Sequence, residues 1–226
     1  MDQTTQKIMK ESIRVGMLLS LTAGFIDSYT FAFHNARFAS FQSGNMLQFG
    51  VNFASGHFSH AMIFFWPVLF YLIGSGLNQF IKKIRYVNDI QWEELSVLVE
   101  MSGIFLVAIL EVLHVSSLIS LSILATFMAM QADTFTKLRG ATYVTTMNTG
   151  NLKNLGSKLA NFLMTRDISE LKRARNTALI IGSFIIGAII AYFIGHIIHG
   201  WAMFIPVFIL FIIWREIIGD RELELN

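Results

Sequence analysis

The 226-residue chain has no cysteine and two prolines, and only 14% of it is charged. Without cysteine there is no disulfide framework, no thiolate metal site and no cysteine nucleophile. Seventeen lysines and arginines against 15 aspartates and glutamates leave a formal charge of +2, too small to point to nucleic acid. The chain lacks a phosphate loop, paired catalytic carboxylates, a Ser/His/Asp arrangement and an HExxH pair. The reading is therefore a non-enzyme with no cofactor and no resident metal, and not an ATP-driven pump on this chain alone.

What is abundant is apolar. Fifty-four per cent of the residues are hydrophobic, 21 of them phenylalanine. Several stretches approach the roughly 20 apolar residues that cross a bilayer. Clear candidate spans are 15–34, 60–81, 95–113, 115–136, 176–198 and 200–214. The first could pass for a signal peptide behind Lys7, Lys10 and Arg14, but it is long and contains Asp27, so it is read as retained.

The chain is also written twice. A slide of 106 positions superposes Asp27 on Asp133 and Gly44-Asn45 on Gly150-Asn151. It also pairs Ala23 with Ala129, Thr30 with Thr136, Gly50 with Gly156 and Ala54 with Ala160. Seven of the 32 positions from 23 to 54 are identical, where ordinary residue frequencies give about two. An internal repeat in an apolar chain points to a transporter or channel.

Two further segments, 36–57 and 141–164, are too polar and too interrupted by glycine for confident spans. If each enters and leaves on one face, all basic residues but Arg37 fall on the cytoplasmic side, as the positive-inside rule favours. If both cross, the chain has eight spans, and Lys153 and Lys158 lie at lipid depth, at about 2.5–3.5 kcal/mol for a central lysine. The six-span topology is preferred. Its two halves, 15–113 and 115–218, then have opposite orientation. The expected fold is a single all-α integral membrane domain over residues 1–226: six transmembrane helices plus two re-entrant half-helices in an inverted 3+3 repeat, both termini cytoplasmic.

In such folds interrupted segments meet near mid-depth and build the site. Ser43-Gly44-Asn45 and Thr149-Gly150-Asn151 read as half-helix starts, with Ser or Thr able to cap. Their free N–H groups suit anions or polar oxygens. The plain alternative is two caps that turn the chain inside the membrane. Asp27 and Asp133 are candidates to bind a coupling proton or cation; equally, each could clasp the half-helix start of its own repeat. Asp133 precedes Lys137 by four residues, which leaves Asp27 the stronger coupling candidate.

Glu100, near the inner end of its span, is expected to snorkel, and Glu111 lies near the outer end. The six histidines (His34, His57, His60, His114, His196, His199) fall at the outer face as interfacial loop residues. A metal site or pH sensor there is the alternative, with His57 and His60 spaced to share a ligand. Gly74-Ser75-Gly76 and Gly182-Ser183 with Gly187 read as close-packing faces.

Ala23-Gly24-Phe25-Ile26-Asp27, Phe41-Gln42-Ser43-Gly44-Asn45 and Thr149-Gly150-Asn151-Leu152 resemble the motifs of the YoaK-like family of uncharacterised bacterial polytopic membrane proteins. The resemblance covers about residues 12–215. Met130 departs from it, standing where a second-half counterpart of Gly24 is expected. The resemblance implies a bacterial inner-membrane location and a fold rather than an activity.

The expected function is secondary transport of a small polar or anionic solute bound between the two half-helix starts. Coupling would fall to Asp27, with Asp133 as a second group. A passive channel and a non-transporting membrane scaffold are the alternatives. The expected partners are the lipid bilayer, a small-molecule or ion substrate and a possible second copy of the chain.

Overall fold

The computed structural model describes residues 13–84, 92–135, 137, 138, 141, 142, 146 and 148–225. The expectations that concern Lys7, Lys10, Arg85, Thr136 and Arg139 lie outside these residues. Helices dominate: α1 (Ile13–Phe33), α2 (Gln42–Ala54), α3 (Phe58–Ile84), α4 (Trp92–Val112), α5 (Ser117–Thr134), α6 (Asn148–Thr165), α7 (Ile168–Ile198) and α8 (Phe204–Leu225). A two-residue antiparallel pair, β1 (Lys137–Leu138) with β2 (Ala141–Thr142), lies between α5 and α6.

Among the described residues, five helical stretches are long and apolar enough to cross a membrane, the last being 51 residues over Ile168–Ile218. That stretch is broken at His199 (φ 51) and by the 3₁₀ turn His199–Met203, so it comprises α7 and α8. At 1.5 Å per residue each is long enough alone, at about 46 and 33 Å. Pro67 sits inside α3 and removes the hydrogen bond to Ile63, a loss that membrane helices tolerate.

Burial ranks the helices. In α1 67% of the apolar window is buried and in α5 56%, against 22% in α3 and 28% in the α7–α8 stretch. These two central helices carry Asp27 and Asp133. Each is gripped by a helix from the other half of the sequence. Ser20 Oγ donates to the Ile180 carbonyl at 2.9 Å and Ser28 Oγ to that of Ala188 at 2.8 Å, both at a separation of 160 residues. A constant separation means that α1 and α7 run parallel. Thr126 Oγ1 donates to the Phe70 carbonyl at 3.3 Å, and Asn78 Nδ2 to Asp133 Oδ2 at 2.9 Å. So α3 and α5 run parallel too.

Glycine makes both contacts close. A Cβ on Gly24 would lie 2.1 Å from Phe184 O, one on Gly187 2.1 Å from Leu21 O, and one on Gly74 2.1 Å from Thr126 O. Gly76 and Gly182, expected to share this role, face open space.

Ion pairs and hydrogen bonds orient the bundle. Tyr29 Oη, near the C-terminus of α1, donates to Glu111 Oε2 at 3.1 Å, near the C-terminus of α4. Just past α1, Arg37 Nη2 donates to Ser117 Oγ at 2.5 Å, in the first turn of α5. One end of the bundle thus collects the end of α1, the end of α4 and the start of α5. At the other end Arg14 Nε pairs with Glu216 Oε1 at 2.8 Å.

The short helices pack as hairpins on their successors. α2 returns through Gly56 (φ 79) onto α3, with Phe49–Phe65 and Phe53–Phe58 ring centroids 5.8 and 5.0 Å apart. α6 turns at Arg166 (φ 57) onto α7, and Lys158 Nζ donates to Thr177 Oγ1 at 2.9 Å. Asp167 caps α7 by accepting from Ser169 N at 2.8 Å and Ser169 Oγ at 2.7 Å. These bonds hold its exposed carboxyl below the usual carboxylate range.

Candidate functional site

The chain leaves α1 at Phe33, folds back along it and starts α2 beside Asp27. Asp27 is 4% exposed. Its Oδ1 accepts from Ser40 N at 2.8 Å and its Oδ2 from Ser40 Oγ at 2.5 Å. The backbone N–H groups of Ala39 and Phe41 also face the carboxylate. A negative group against the first N–H groups of a helix complements its dipole. Asp27 therefore acts as the clasp of its own repeat, and it occupies the place at the start of α2 where an anion would otherwise sit.

Asp133 does not mirror it. Its Oδ2 pairs with Lys82 Nζ at 2.7 Å and accepts from Gln79 Nε2 at 2.8 Å and Asn78 Nδ2 at 2.9 Å, all on α3. The reason is local: α3 ends in Lys82 and Lys83, and Lys82 reaches across the parallel contact. The expected Lys137 lies in β1 beyond the end of α5, so helical i,i+4 spacing does not apply. The two aspartates, equivalent in sequence, have different partners.

Ser43 and Thr149 are not the caps that their composition suggests. α2 begins at Gln42 with Phe41 in the N-cap position and no side-chain cap bond, and Ser43 is exposed in the first turn. α6 already includes Asn148, which puts Thr149 and Gly150 inside its first turn, both exposed. The asparagines carry the local order instead. Asn45, fully buried, donates to Gln42 Oε1 at 2.8 Å and to the Phe38 carbonyl at 2.8 Å, and accepts from Phe38 N at 3.1 Å. Asn151, 1% exposed, donates to Asn148 Oδ1 at 3.2 Å. Asn45 to Gln42 and Asn151 to Asn148 are the same bond, 106 positions apart.

The two starts meet. Ser40 Oγ lies 3.5 Å from the Thr146 carbonyl. Ser40 and Thr146 are themselves separated by 106 residues, so equivalent points of the two repeats touch. Tyr71, on α3, stands beside them, its hydroxyl facing the Thr146 side chain. Asn148 Nδ2 is buried without a hydrogen-bond partner. Buried polar atoms are rarely left so.

A family model described as "Protein of unknown function (DUF1275)" matches residues 15–214. The chain belongs to that family. No curated protein and no solved structure matches it, so the likeness to YoaK-like proteins stays a resemblance. In this DUF1275 chain the match runs from the start of α1 into α8 and includes the starts of α2 and α6 and both aspartates.

Other expectations change. Glu100 does not snorkel: it is 0% exposed, and neither carboxylate oxygen has a partner. His34 is no loop residue in water but is 5% exposed, with Nε2 3.2 Å from Glu111 Oε2. Among the described residues no three His, Cys, Asp or Glu side chains could hold a metal ion, which leaves His57 and His60 without further ligands. Sequence reasoning missed Tyr71, Ser40 and Thr146. A signal existed for the last two, a hydroxyl pair at the repeat offset.

Proposed function

We propose that this chain is a secondary transporter of a small polar or anionic solute, with six membrane crossings and α2 and α6 as re-entrant half-helices of an inverted repeat. The Ser40–Thr146 contact between equivalent positions carries the reading. It is what a pseudo-two-fold axis through the site requires. Two further observations support it. The end of α1 and the start of α5, equivalent helices, share one end of the bundle, so the two run in opposite directions. At 1.5 Å per residue α2 is about 20 Å long, short of the roughly 30 Å hydrocarbon core; α6, as long as α5, is set apart by Lys153 and Lys158 within it.

The solute would bind at the start of α6 rather than α2, since Asp27 already occupies the latter. Tyr71, Thr146 and Asn148 offer hydroxyl and amide groups there, and Gly150 leaves open space, with nothing within 4 Å of a built Cβ. A passive channel is the second reading, favoured by one observation: both repeat aspartates are bonded to protein groups.

The test is a thermal-shift screen of purified protein against neutral amino acids, polyols, phosphate, acetate and chloride, followed by counterflow of any hit in proteoliposomes. A true solute at a hundredfold its Kd should add about 2.7 kcal/mol of stability, and Asn148→Ala should abolish most of that shift. Exchange faster than net efflux indicates a transporter, and net flux without exchange acceleration a channel. A shift that survives Asn148→Ala, or binding without any flux, would overturn the proposal.

A further inference from the structure

Glu100 lies near the middle of α4, wholly buried, with both carboxylate oxygens unpartnered. Ionisable groups inside membrane helices are costly and normally paired. Helical spacing puts Ser96, Glu100, Val107 and Glu111 on the buried face of α4. One turn before Glu100, Ser96 Oγ lies 2.7 Å from Thr134 Oγ1 and 3.4 Å from Asn78 Oδ1. Asn78 continues to Asp133, and Asp133 to Lys82, whose side chains are both 27% exposed. A chain of polar groups thus leads from the surface to within one turn of Glu100. On the far side Ile104 and Val107, 0% and 1% exposed, separate it from Glu111.

Among the described side chains, the ionisable groups on the elements packed on α4 are Asp133 on α5, His60, Tyr71, Lys82 and Lys83 on α3, Arg215 and Glu216 on α8, His199 on the 3₁₀ turn, and Glu94 and Glu111 on α4 itself. None is hydrogen-bonded to Glu100. Hard metal cations require several oxygen ligands, and Glu100 has no second oxygen bonded to it. A proton needs only one.

We infer that Glu100 is a proton-binding site loaded from the Asp133–Lys82 end, and a coupling group of the transport cycle. The coupling role rests on the transport reading; the proton site does not. The probe is dicyclohexylcarbodiimide on the purified full-length protein. The carboxylic acid adds across one C=N bond, its proton going to nitrogen and its oxygen to the central carbon. Acyl migration from oxygen to nitrogen then gives a stable N-acylurea, with no leaving group and no oxidant.

The expected result is one adduct on the peptide carrying Glu100, falling at least tenfold as pH rises and absent in Glu100→Gln. Glu100→Asp, which keeps the acid, should still react, and Ser96→Ala should slow the approach to full labelling after a pH jump. No adduct at Glu100, or labelling independent of pH (a permanently neutral acid), would overturn the inference. A labelled Glu100 with no transported solute would instead sink the transport reading alone.

Discussion

Gly24→Ala should separate α1 from α7 and lower stability by about 3 kcal/mol or more, whereas Gly182→Ala should cost almost nothing. The new Cβ at position 24 would sit 2.1 Å from Phe184 O and 2.9 Å from its Cα. Ordinary contact needs more than an ångström of further separation, and backbone cannot escape by changing rotamer. Overpacking costs about 1–3 kcal/mol when side chains can move, so a backbone clash belongs at or above the top of that range. Separation also stretches the Ser20 and Ser28 hydrogen bonds, worth about 0.6 kcal/mol each on the average for membrane helices. Gly74→Ala should do the same to α3 and α5. Gly182 has nothing within 4 Å, and alanine there gains helix propensity. The check is the unfolding midpoint of all three variants in one detergent. Equal midpoints for Gly24→Ala and Gly182→Ala would contradict the parallel-pair packing.

Asp27→Ala should be the most damaging single change at the site. It removes the acceptor for Ser40 N and Ser40 Oγ at once and leaves both buried. Hydrogen bonds to a charged group contribute about 1.5–3 kcal/mol each, but the two share one carboxylate, so a loss of about 3 kcal/mol is expected. Ser40→Ala keeps the backbone bond and should cost about half as much. Asp27→Asn keeps the shape and one acceptor, and should fall between wild type and Ser40→Ala. That order, read from thermal unfolding, is the signature of a clasp. An Asp27→Asn variant as stable as wild type that loses only ion-driven uptake would show that Asp27 is the coupling group instead.

The helices were legible because their physics is one-dimensional. Apolar runs located α1, α3, α4 and α5 to within a few residues; α8 starts four residues after its expected span and runs eleven past it. α7 begins at Ile168, eight residues before the apolar run, because Lys172, Arg173 and Arg175 continue the helix behind the Asp167 cap. Hydropathy does not register a charged helix. The starts of α2 and α6 were legible as positions and misread in detail. Composition suggests that Ser43 and Thr149 cap, but the loop that precedes α2 is held by Asp27, the clasp that was one of its two sequence readings, and by Asn45 through bonds to the Phe38 backbone. Glu100 was misjudged because distance from a span end does not say which face a side chain takes. Lys82 was passed over for Lys137 because the end of α5 at Thr134 is invisible in the charge pattern.

The central claim is that equivalent points of the two repeats lie on opposite sides of the membrane. Ser59 and Thr165 are such a pair, 106 residues apart, both exposed at the tips where α2 meets α3 and α6 meets α7. The chain has no native cysteine, so single Ser59→Cys and Thr165→Cys variants can be probed with an impermeant thiol reagent in intact cells and again after permeabilisation. The account predicts that Ser59→Cys reacts in intact cells and Thr165→Cys only after permeabilisation. If both react only after permeabilisation, α2 and α6 cross the membrane, the repeats are parallel, and the opposed half-helix site does not exist.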